Sequence, residues 1–410
     1  MKEDKKKPET WIKTRHKIVQ KTLAPLFAPF CRWKYGLDIK SFRKEQGDRP
    51  FLILMNHQTV FDQFFVGVAF QRPIYFIATE DIFSNGWVSS LIRWLVAPIP
   101  IKKQTTDLRA VRTCLKVAKE GGTIALAPEG NRTYDGKTVY INPAIAPLAR
   151  KLRLPIAFFR IEGGYGVDPR WGRKVRKGKM KAYVSRVIET DELATYSSEE
   201  LYDIICKELD VNEAVVNGEF RDKNLAQYME RLVYVCPECG LSVFESHGDI
   251  VECKNCGLKV RYKPNRELEG VGYDLPYRFM ADWYKAQNDF VNQLDLSAYT
   301  AFPMYEDHAR FSEVIVYKNK KLLMKDAVVK LYGNRLCIAE GADAEHSMTF
   351  DTVSVITVLG RNKLNIYCGD KIYQLKGDKR FNAIKYMNIF YRYKNTNLLT
   401  GGEDGKFLGL

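Results

Sequence analysis

The sequence of 410 residues has no uninterrupted run of eighteen apolar residues. A helix that crosses the hydrocarbon core of a bilayer needs about twenty predominantly apolar residues, so the sequence does not favour a membrane-spanning helix. The sequence does not favour a secretory signal peptide either, because the apolar stretch 22–30 is short, contains two prolines and has no small-residue cleavage site. We expect any contact with a membrane to be peripheral.

Acidic residues are scarce relative to basic ones. The chain has 49 Asp and Glu against 64 Lys and Arg, which gives a formal net charge of +15. Such a balance predicts an anionic partner, and nucleic acid, anionic lipid and a polyphosphate-bearing acyl donor all satisfy it. The hydrophobic share of 46% is ordinary for globular proteins and does not favour extensive disorder. The length predicts two to four domains.

Four of the nine cysteines form two close pairs, and the other five are scattered. This distribution is typical of a reducing compartment rather than of a secreted disulfide framework. The paired residues are Cys236, Cys239, Cys253 and Cys256. Two C-x2-C pairs, each followed by glycine, can place four thiolates around one tetrahedral Zn²⁺. Because sulfur fills all four positions, the pattern predicts a structural zinc ion.

The spacer between the two pairs contains His247, which we interpret as a loop residue, with replacement of one cysteine ligand as the alternative. Zinc ribbons often bind nucleic acid. Here, however, acidic residues offset the basic ones within the ribbon, at Glu238, Glu245, Asp249 and Glu252. The charge pattern therefore favours a structural module or a protein-binding module over a nucleic-acid-binding one.

Residues 1–45 contain thirteen basic and five acidic residues, interleaved with aromatic and aliphatic side chains. Such a segment can lie in a membrane interface, since its charge attracts anionic headgroups while its apolar side inserts. The alternative is a helix packed on its own domain. A second candidate contact is 82–101, where Trp87 and Trp94 flank Arg93, although this density of tryptophan also suits a core. We expect a peripheral location at the cytoplasmic face of the cell membrane.

From residue 50 to about 190, short apolar runs alternate with helical patterns such as Leu108–Lys119, which predicts an α/β fold with a largely parallel sheet. The predicted strands are Phe51–Met55, Ile74–Ala78, Thr123–Ala127, Pro155–Arg160 and Met180–Val187. The predicted division is a basic segment at 1–45, an α/β domain at 46–220, the ribbon at 230–263, a helical linker at 264–300, a β domain at 301–396 and a tail at 397–410.

The β domain is predicted from short apolar runs separated by turn signals, followed by one helical pattern. These runs are Val314–Tyr317, Arg335–Ile338, Val353–Val358, Leu364–Tyr367 and Ile372–Leu375. The helical pattern has Phe381, Ile384, Met387 and Tyr391 on one face. Several strands with one C-terminal helix resemble a small pleckstrin-homology-like (PH-like) or GRAM-like barrel.

The segment 51–62 reads FLILMNHQTVFD, an apolar strand that delivers His57 and, five residues later, Asp62. Positions i and i+5 do not share a helix face, so His57 should lie on the bend before a helix. Asp62 in the first helical turn can then reach one imidazole nitrogen and leave the other free to take a proton. The alternative is a variant capping box, with Thr59 as the cap and His57 as an ordinary turn residue.

A second apolar strand, 123–127, delivers Pro128, Glu129, Gly130, Asn131 and Arg132. Ligands of open α/β sheets bind at the carboxyl ends of the strands. We therefore expect His57 and Glu129 to converge in one crevice.

Taken together, NHQTVFD and PEGNRT resemble the first and third sequence blocks of the PlsC-type glycerolipid acyltransferases, which include 1-acylglycerol-3-phosphate acyltransferase. Residues 97–103, APIPIKK, are similar to the second block, and Leu154-Pro155-Ile156 to the fourth. These four blocks follow the family order across about 105 residues.

The resemblance implies an acyl-CoA or acyl carrier protein donor, a lysophospholipid acceptor and no catalytic cofactor. It implies that His57 is the general base, that Asp62 holds it, and that Arg132 grips the acceptor phosphate with help from Lys102 or Lys103. Glu129, Gly130 and Asn131 would order the acceptor site. Backbone N–H groups near 56–58 are candidate donors to the oxyanion.

Three positions depart from the family pattern, since Thr59, Asn131 and Lys103 stand where the family commonly has Ser, Thr and Arg. The acceptor headgroup therefore stays open. A non-catalytic lipid-binding protein and a transacylase are the alternatives to acyl transfer from a thioester. Seven basic residues between 170 and 181 could contact the donor or the bilayer, or form a solvated hairpin.

Overall fold

The structure, a computed structural model, describes residues 10–101, 107–315, 318–341 and 345–399. Their contacts define two compact units. The first contains the described residues of Met1–Arg132, Thr138–Gly164 and Lys179–Asn212. The second contains Thr133–Lys137, Tyr165–Gly178 and the described residues from Glu213 onward.

The elements of the first unit alternate between helix and strand. In chain order they are α1 (Thr14–Tyr35), β1 (Leu37–Ile39), α2 (Arg43–Gln46), β2 (Leu52–Met55), α3 (Asp62–Ala69), β3 (Ile74–Thr79), a 3₁₀ turn (Glu80–Phe83), α4 (Trp87–Val96), β4 (Ile99–Ile101), α5 (Leu108–Lys119), β5 (Thr123–Leu126), α6 (Ile145–Leu152), β6 (Ile156–Glu162), the short α7 (Gly164–Val167, whose last three residues belong to the second unit), β7 (Met180–Ile188), α8 (Thr190–Thr195) and α9 (Ser198–Leu209).

The strands of this unit form one sheet of seven, in the order β1-β7-β6-β2-β5-β3-β4. The five strands from β6 to β4 run parallel to one another, whereas β7 is antiparallel to β6. All four residues of β2 are buried, as expected for a central parallel strand. The predicted α/β fold with a largely parallel sheet is confirmed.

Local signals explain where two helices of the first unit begin. The Asp107 carboxylate accepts the backbone N–H groups of Arg109 and Ala110 at the start of α5, and a reciprocal Ser197–Glu200 capping box starts α9. Both helices, together with α6, bury their apolar faces in a cluster shared with Leu52 of β2. Helix α1 packs instead with α3 and α4.

The second unit contains a cysteine-rich ribbon followed by a β domain. Its elements are a 3₁₀ turn (Met229–Arg231), β8 (Val235–Cys236), β9 (Gly240–Leu241), β10 (Phe244–His247), β11 (Ile250–Cys253), β12 (Lys259–Tyr262), β13 (Leu268–Gly270), α10 (Met280–Gln293), a 3₁₀ turn (Leu296–Tyr299), β14 (Tyr305–Glu313), β15 (Lys321–Leu331), β16 (Arg335–Ala339), β17 (His346–Thr349), β18 (Val353–Leu359), β19 (Lys363–Cys368), β20 (Lys371–Gly377) and α11 (Ala383–Leu399).

In the β domain, seven strands form an antiparallel sheet in the order β17-β16-β15-β14-β20-β19-β18, and α11 follows them. The predicted β-rich domain with a C-terminal helix is confirmed. The PH-like or GRAM-like relationship stays a prediction.

Two long strands of this domain, β14 and β15, were not predicted from the sequence. Charged residues interrupt both, for example Lys325 and Asp326 within β15, and they hide the strand pattern. The predicted strand at Val314–Tyr317 is wrong at Val314 and Ile315, which follow the end of β14, and its last two residues lie outside the described ranges.

No helix in the described part of the chain is long and apolar enough to cross a membrane. Several apolar side chains on α1 and α4 are nevertheless exposed: Ile18, Leu26, Trp33, Trp87, Leu91 and Trp94.

Candidate active site

Neighbouring parallel strands bring the two sequence motifs together. Strand β2 pairs with β5, so their carboxyl ends lie at the same edge of the sheet. The chain leaves β2 toward His57 and leaves β5 toward Glu129. The expected convergence is present, because the His57 backbone N–H donates to Glu129 Oε1 at 2.8 Å across 72 residues of sequence.

The His57 ring and the Asp62 carboxylate form a direct hydrogen bond. His57 lies on the bend before α3, whose first residue is Asp62. His57 Nδ1 is 2.7 Å from Asp62 Oδ2, as the i to i+5 argument predicts. Since the carboxylate is the acceptor, Nδ1 carries the proton, and in the neutral ring Nε2 is the basic nitrogen.

Asp62 is fully buried and accepts several further hydrogen bonds. Its Oδ2 accepts the Gln58 backbone N–H at 2.7 Å. Its Oδ1 accepts both the backbone N–H and the hydroxyl of Thr59, at 2.9 and 2.7 Å. The alternative of a capping box with Thr59 as the cap is wrong, because α3 begins at Asp62 and its N-cap residue is Phe61. The Thr59–Asp62 contacts instead hold the carboxylate beside its contact with His57. Together these bonds fix the carboxylate that orients the ring.

The outer edge of the His57 ring reaches solvent. The side chain is 25% exposed, whereas that of Asp62 is 0% exposed. No described residue forms a hydrogen bond with Nε2. The arrangement can accept a proton from a hydroxyl group that approaches from the solvent side.

Glu129 joins the His57 bend to a second segment. Its Oε1 accepts the His57 N–H, and its Oε2 accepts the Val139 N–H at 2.8 Å. Only 6% of Glu129 is exposed. The carboxylate thus holds backbone near the base, a function that sequence reasoning did not assign to it.

The other residues of the second motif lie beside Glu129. Gly130 has a φ of 65°, in the left-handed region, and no atom lies within 4 Å of the position that a Cβ would take. Arg132 is 7% exposed, and its Nε donates to the Gln58 carbonyl oxygen at 3.3 Å. Asn131 is half-buried. Lys102 and Lys103 lie outside the described residues.

The prediction that backbone N–H groups at 56–58 serve the oxyanion is wrong for two of the three. The His57 N–H is held by Glu129, and the Gln58 N–H is held by Asp62. Both donors are already bound to carboxylate oxygens, at 2.8 and 2.7 Å.

Asn56 is a structural residue of the site that sequence reasoning did not single out. It is fully buried, and its side-chain amide pairs with the peptide of Ile161 in β6 through two hydrogen bonds of 2.8 Å. This pairing fixes the end of β2, from which His57 projects. A buried polar residue at the carboxyl end of an apolar strand was the available signal.

The basic cluster at 170–181 is partly internal to the second unit. Arg170 and Arg176 are buried. Arg170 Nη2 donates to the Val358 carbonyl oxygen at 2.8 Å, and Arg176 Nη2 donates to that of Leu225. For these two residues, the interpretations as a donor contact, a bilayer contact or a solvated surface are all wrong.

The four paired cysteines form one cluster. Their Sγ atoms all lie within 4.8 Å of one another, and the Cys236–Cys256 and Cys239–Cys253 pairs are each 3.6 Å apart. A tetrahedral Zn²⁺ with bonds of about 2.3 Å requires Sγ separations of about 3.8 Å. The residues present therefore fit a zinc ion.

Each cysteine pair also has the backbone geometry of a metal-binding turn. Gly240 and Gly257 follow their pairs with φ values of 76° and 77°, which glycine adopts readily. By contrast, His247 is an exposed residue of β10, and its Nε2 lies 3.2 Å from Glu245 Oε1. It is not a member of the cluster, so it does not replace a cysteine ligand. The interpretation as a loop residue is wrong, because His247 is the last residue of β10.

Comparison with protein families matches two parts of the chain. Residues 38–161 match the family described as Acyltransferase. Residues 229–267 match a zinc-ribbon family described as DNA directed RNA polymerase, 7 kDa subunit.

Curated relatives match the first part. A 1-acyl-sn-glycerol-3-phosphate acyltransferase of Bacillus subtilis (strain 168) is 25% identical over 166 residues, which is 40% of this chain and 79% of that protein. The chloroplastic 1-acyl-sn-glycerol-3-phosphate acyltransferase BAT2 of Brassica napus is 23% identical over 139 residues, which is 33% of this chain and 40% of that protein.

A solved structure is also similar. The crystal structure of the 1-acyl-sn-glycerophosphate acyltransferase PlsC from Thermotoga maritima is 23% identical, covers 47% of this chain and 78% of its own, and has a TM-score of 0.41. The matched residues 38–161 contain His57, Asp62, Glu129 and Arg132. By this match, residues 38–161 form an acyltransferase-family domain.

Proposed function

We propose that this protein transfers a fatty acyl group from a thioester, acyl-CoA or acyl carrier protein, to the free hydroxyl of 1-acylglycerol-3-phosphate. The observation that carries the proposal is the 2.7 Å contact between His57 Nδ1 and the buried Asp62 carboxylate, beside Glu129. The names of the curated relatives support the same acceptor.

In the proposed reaction, His57 Nε2 takes the proton of the acceptor hydroxyl while the oxygen attacks the thioester carbonyl carbon. Asp62 stabilises the imidazolium that forms. The tetrahedral intermediate then collapses, the carbon–sulfur bond breaks, and the imidazolium returns the proton to the leaving thiolate. The products are an ester and a free thiol, and the nucleophile is the substrate, because the arrangement supplies a base and its orienter.

We propose that Arg132 provides the charge that holds the acceptor phosphate. Arg132 follows Glu129, Gly130 and Asn131 in the chain, after the carboxyl end of β5, where ligands of such sheets bind. Guanidinium groups bind phosphate strongly through paired N–H groups. Lys102 and Lys103 are proposed to assist on sequence grounds alone.

We propose that the enzyme works as a peripheral protein at the cytoplasmic face of the membrane. Exposed tryptophans on two helices support this, namely Trp33 on α1 at 81% and Trp87 and Trp94 on α4 at 76% and 54%. The helices touch, since Arg15 of α1 donates to the Trp94 carbonyl oxygen at 2.8 Å. Exposed aromatic residues near basic ones suit an anionic interface.

The activity is tested with a panel of donors and acceptors and with mass spectrometry of the products. Donors are acyl-CoA, acyl carrier protein thioester and diacyl phospholipid, and acceptors are lysophosphatidic acid, lysophosphatidylcholine and monoacylglycerol. We expect phosphatidic acid from a thioester donor. Transfer from phospholipid alone would indicate a transacylase, and vesicle binding without any product would indicate a non-catalytic lipid-binding protein.

Membrane association is tested by sedimentation with phosphatidylglycerol vesicles. The double variant Trp87→Ser, Trp94→Ser should bind at least about tenfold more weakly, because full burial of one large apolar side chain contributes about 1.5–3 kcal/mol. A matched control is Phe302→Ser, since Phe302 is 76% exposed and lies in the second unit. Equal binding of both variants and the wild type would contradict the assignment of the surface.

A further inference from the structure

Gly164 packs closely against the segment that carries the base. A Cβ at this position would lie 2.5 Å from Gln58 Cβ and 3.2 Å from Thr59 Cγ2. Real Cβ atoms essentially never come closer than 3.0 Å. Because a Cβ cannot rotate away from its own backbone, a side chain at 164 would have to displace the backbone of Gln58 or its own.

The backbone of Gln58 joins the two halves of the candidate site. Its N–H donates to Asp62 Oδ2 at 2.7 Å, and its carbonyl oxygen accepts from Arg132 Nε at 3.3 Å. Gln58 is fully buried and lies between His57 and Thr59 in the chain. A displacement of this one residue therefore acts on both the orienting carboxylate and the guanidinium.

The exit of β6 is fixed independently of Gly164. Ile161, three residues earlier, is held through both its peptide groups by Asn56. Next to Gly164, a Cβ at Gly163 would lie 2.5 Å from the carbonyl oxygen of Lys179, the residue before β7, so the backbone there is also closely packed. With the strand exit held at both places, Gln58 is the part that must yield to a larger residue at 164.

We propose that Gly164 is a positioning residue for acyl transfer: the absence of a side chain lets the end of β6 press against Gln58, which keeps Asp62 and Arg132 in register around His57. This inference rests on the proposed function. Gly164 touches no substrate in this account and acts through Gln58. Its φ lies outside the left-handed region, so alanine at 164 introduces a steric conflict without backbone strain.

The test uses Gly164→Ala in the full-length chain. We expect kcat to fall by about 10- to 100-fold, since displacement of a reacting group by about 1 Å can cost that much. In protein labelled with ¹⁵N-histidine, we also expect a change in the downfield Nδ1–H resonance of His57, assigned with His57→Gln. That proton reports the contact with Asp62 without any need for turnover.

Two glycine-to-alanine controls separate positioning from general damage. Gly67 lies in the same helix as Asp62, and in Gly67→Ala the new Cβ would have only Gln20 Oε1 nearby, at 4.0 Å. In Gly166→Ala, the new Cβ would lie 2.4 Å from the Phe220 ring, a conflict of similar severity away from Gln58. Both should keep the His57 resonance. If Gly166→Ala loses kcat and shifts the resonance as Gly164→Ala does, the role is merely structural and the inference is overturned.

A compensating change provides the rescue. Gln58→Gly removes the Cβ that a residue at 164 would strike while it keeps both backbone groups. The double variant Gly164→Ala, Gln58→Gly should regain the His57 resonance and at least part of kcat relative to Gly164→Ala. It should also regain folding if Gly164→Ala does not fold. Failure of this rescue overturns the proposal.

The two proposals fail separately in this experiment. A wild-type chain that transfers no acyl group, but whose His57 resonance responds to Gly164→Ala, contradicts the proposed function alone. If the wild type transfers acyl groups but Gly164→Ala changes neither the His57 resonance nor kcat, the positioning role alone is contradicted.

Discussion

Glu129 Oε1 lies 2.8 Å from the backbone nitrogen of His57, across 72 residues of sequence. The second oxygen of the same buried carboxylate accepts the Val139 N–H. One side chain therefore fixes the main chain of the base and that of the segment that follows the second motif. This relationship gives Glu129 a positioning role for His57.

Replacement of Glu129 by glutamine tests that role. The amide has one acceptor oxygen, so its NH₂ group would face a buried N–H donor, at a cost of about 1–3 kcal/mol. We expect a lower thermal stability and at least about a tenfold loss of kcat, measured by thermal unfolding and thiol release. The control is Glu189→Gln, because the Glu189 side chain is 53% exposed and pairs with Arg49 at the surface. Wild-type values for Glu129→Gln would refute the role.

Arg132→Lys tests the phosphate contact. Lysine keeps the charge but loses the planar fork, and hydrogen bonds to charged groups contribute about 1.5–3 kcal/mol each. We expect KM for lysophosphatidic acid to rise by about 10- to 100-fold while KM for the donor changes little. Monoacylglycerol, which has no phosphate, should be affected less. The exposed Arg109→Lys serves as control, and an equal effect on both acceptors would argue against a phosphate contact.

How far the sequence predicts the site depends on how many residues of the chain separate the two partners of each contact. The His57–Asp62 bond is local, and the i to i+5 spacing predicts it. The convergence of His57 with Glu129 required one general rule about strand ends. By contrast, the pairing of Asn56 with Ile161 spans 105 residues and depends on β2 lying beside β6. Nothing in either local segment encodes that neighbour.

Local composition was misleading where burial inverted its meaning. Arg170 and Arg176 belong to a dense basic run, which ordinarily marks a solvated surface, but each donates to a buried main-chain carbonyl. Their guanidinium groups also lie over aromatic rings, Arg170 at 4.2 Å from Tyr134 and Arg176 at 4.9 Å from Trp171. The carbonyl partners, Val358 and Leu225, are distant in sequence, and the basic run itself has no pattern that indicates burial. Only the fold therefore reveals these contacts.

The cysteine cluster predicts one zinc ion per chain. Metal analysis of the purified protein should give about one zinc ion per chain, and Cys236→Ser, which removes one of the four thiolates, should abolish zinc binding. Because zinc binding stabilises such ribbons by about 10–16 kcal/mol, loss of the ion should unfold the ribbon. Limited proteolysis should then cut within 229–267. Cys368→Ser, outside the cluster, should retain both the metal and the resistance. A metal-free wild type that resists proteolysis would contradict the prediction.

The docking of α1 should weaken in acid. His16 is 2% exposed, its Nδ1 lies 3.1 Å from the Tyr75 hydroxyl, and burial lowers its pKa, with Arg15 and Lys13 adding to the effect. Because the folded pKa is lower than the unfolded value, the stabilisation is present above about pH 6.5 and is lost as the pH falls through the folded pKa. The largest slope for one such group is about 1.4 kcal/mol per pH unit.

Hydrogen exchange of peptides from 14–35 measures this effect, after correction for intrinsic rates at each pH. We expect protection to fall between pH 7.5 and 5.5 in the wild type and to fall less in His16→Gln. The exposed His308→Gln should behave as the wild type does. A pH-independent α1 in the wild type would show that His16 does not control docking.

The most direct test of the central claim is the release of free thiol from acyl-CoA in the presence of lysophosphatidic acid, compared between the wild type and His57→Ala. General base catalysis contributes about 10²- to 10⁴-fold, so His57→Ala should lose that factor while its thermal unfolding stays near that of the wild type. His247→Ala, at an exposed histidine of the ribbon, should release thiol at the wild-type rate. Undiminished thiol release by a folded His57→Ala chain would contradict the account.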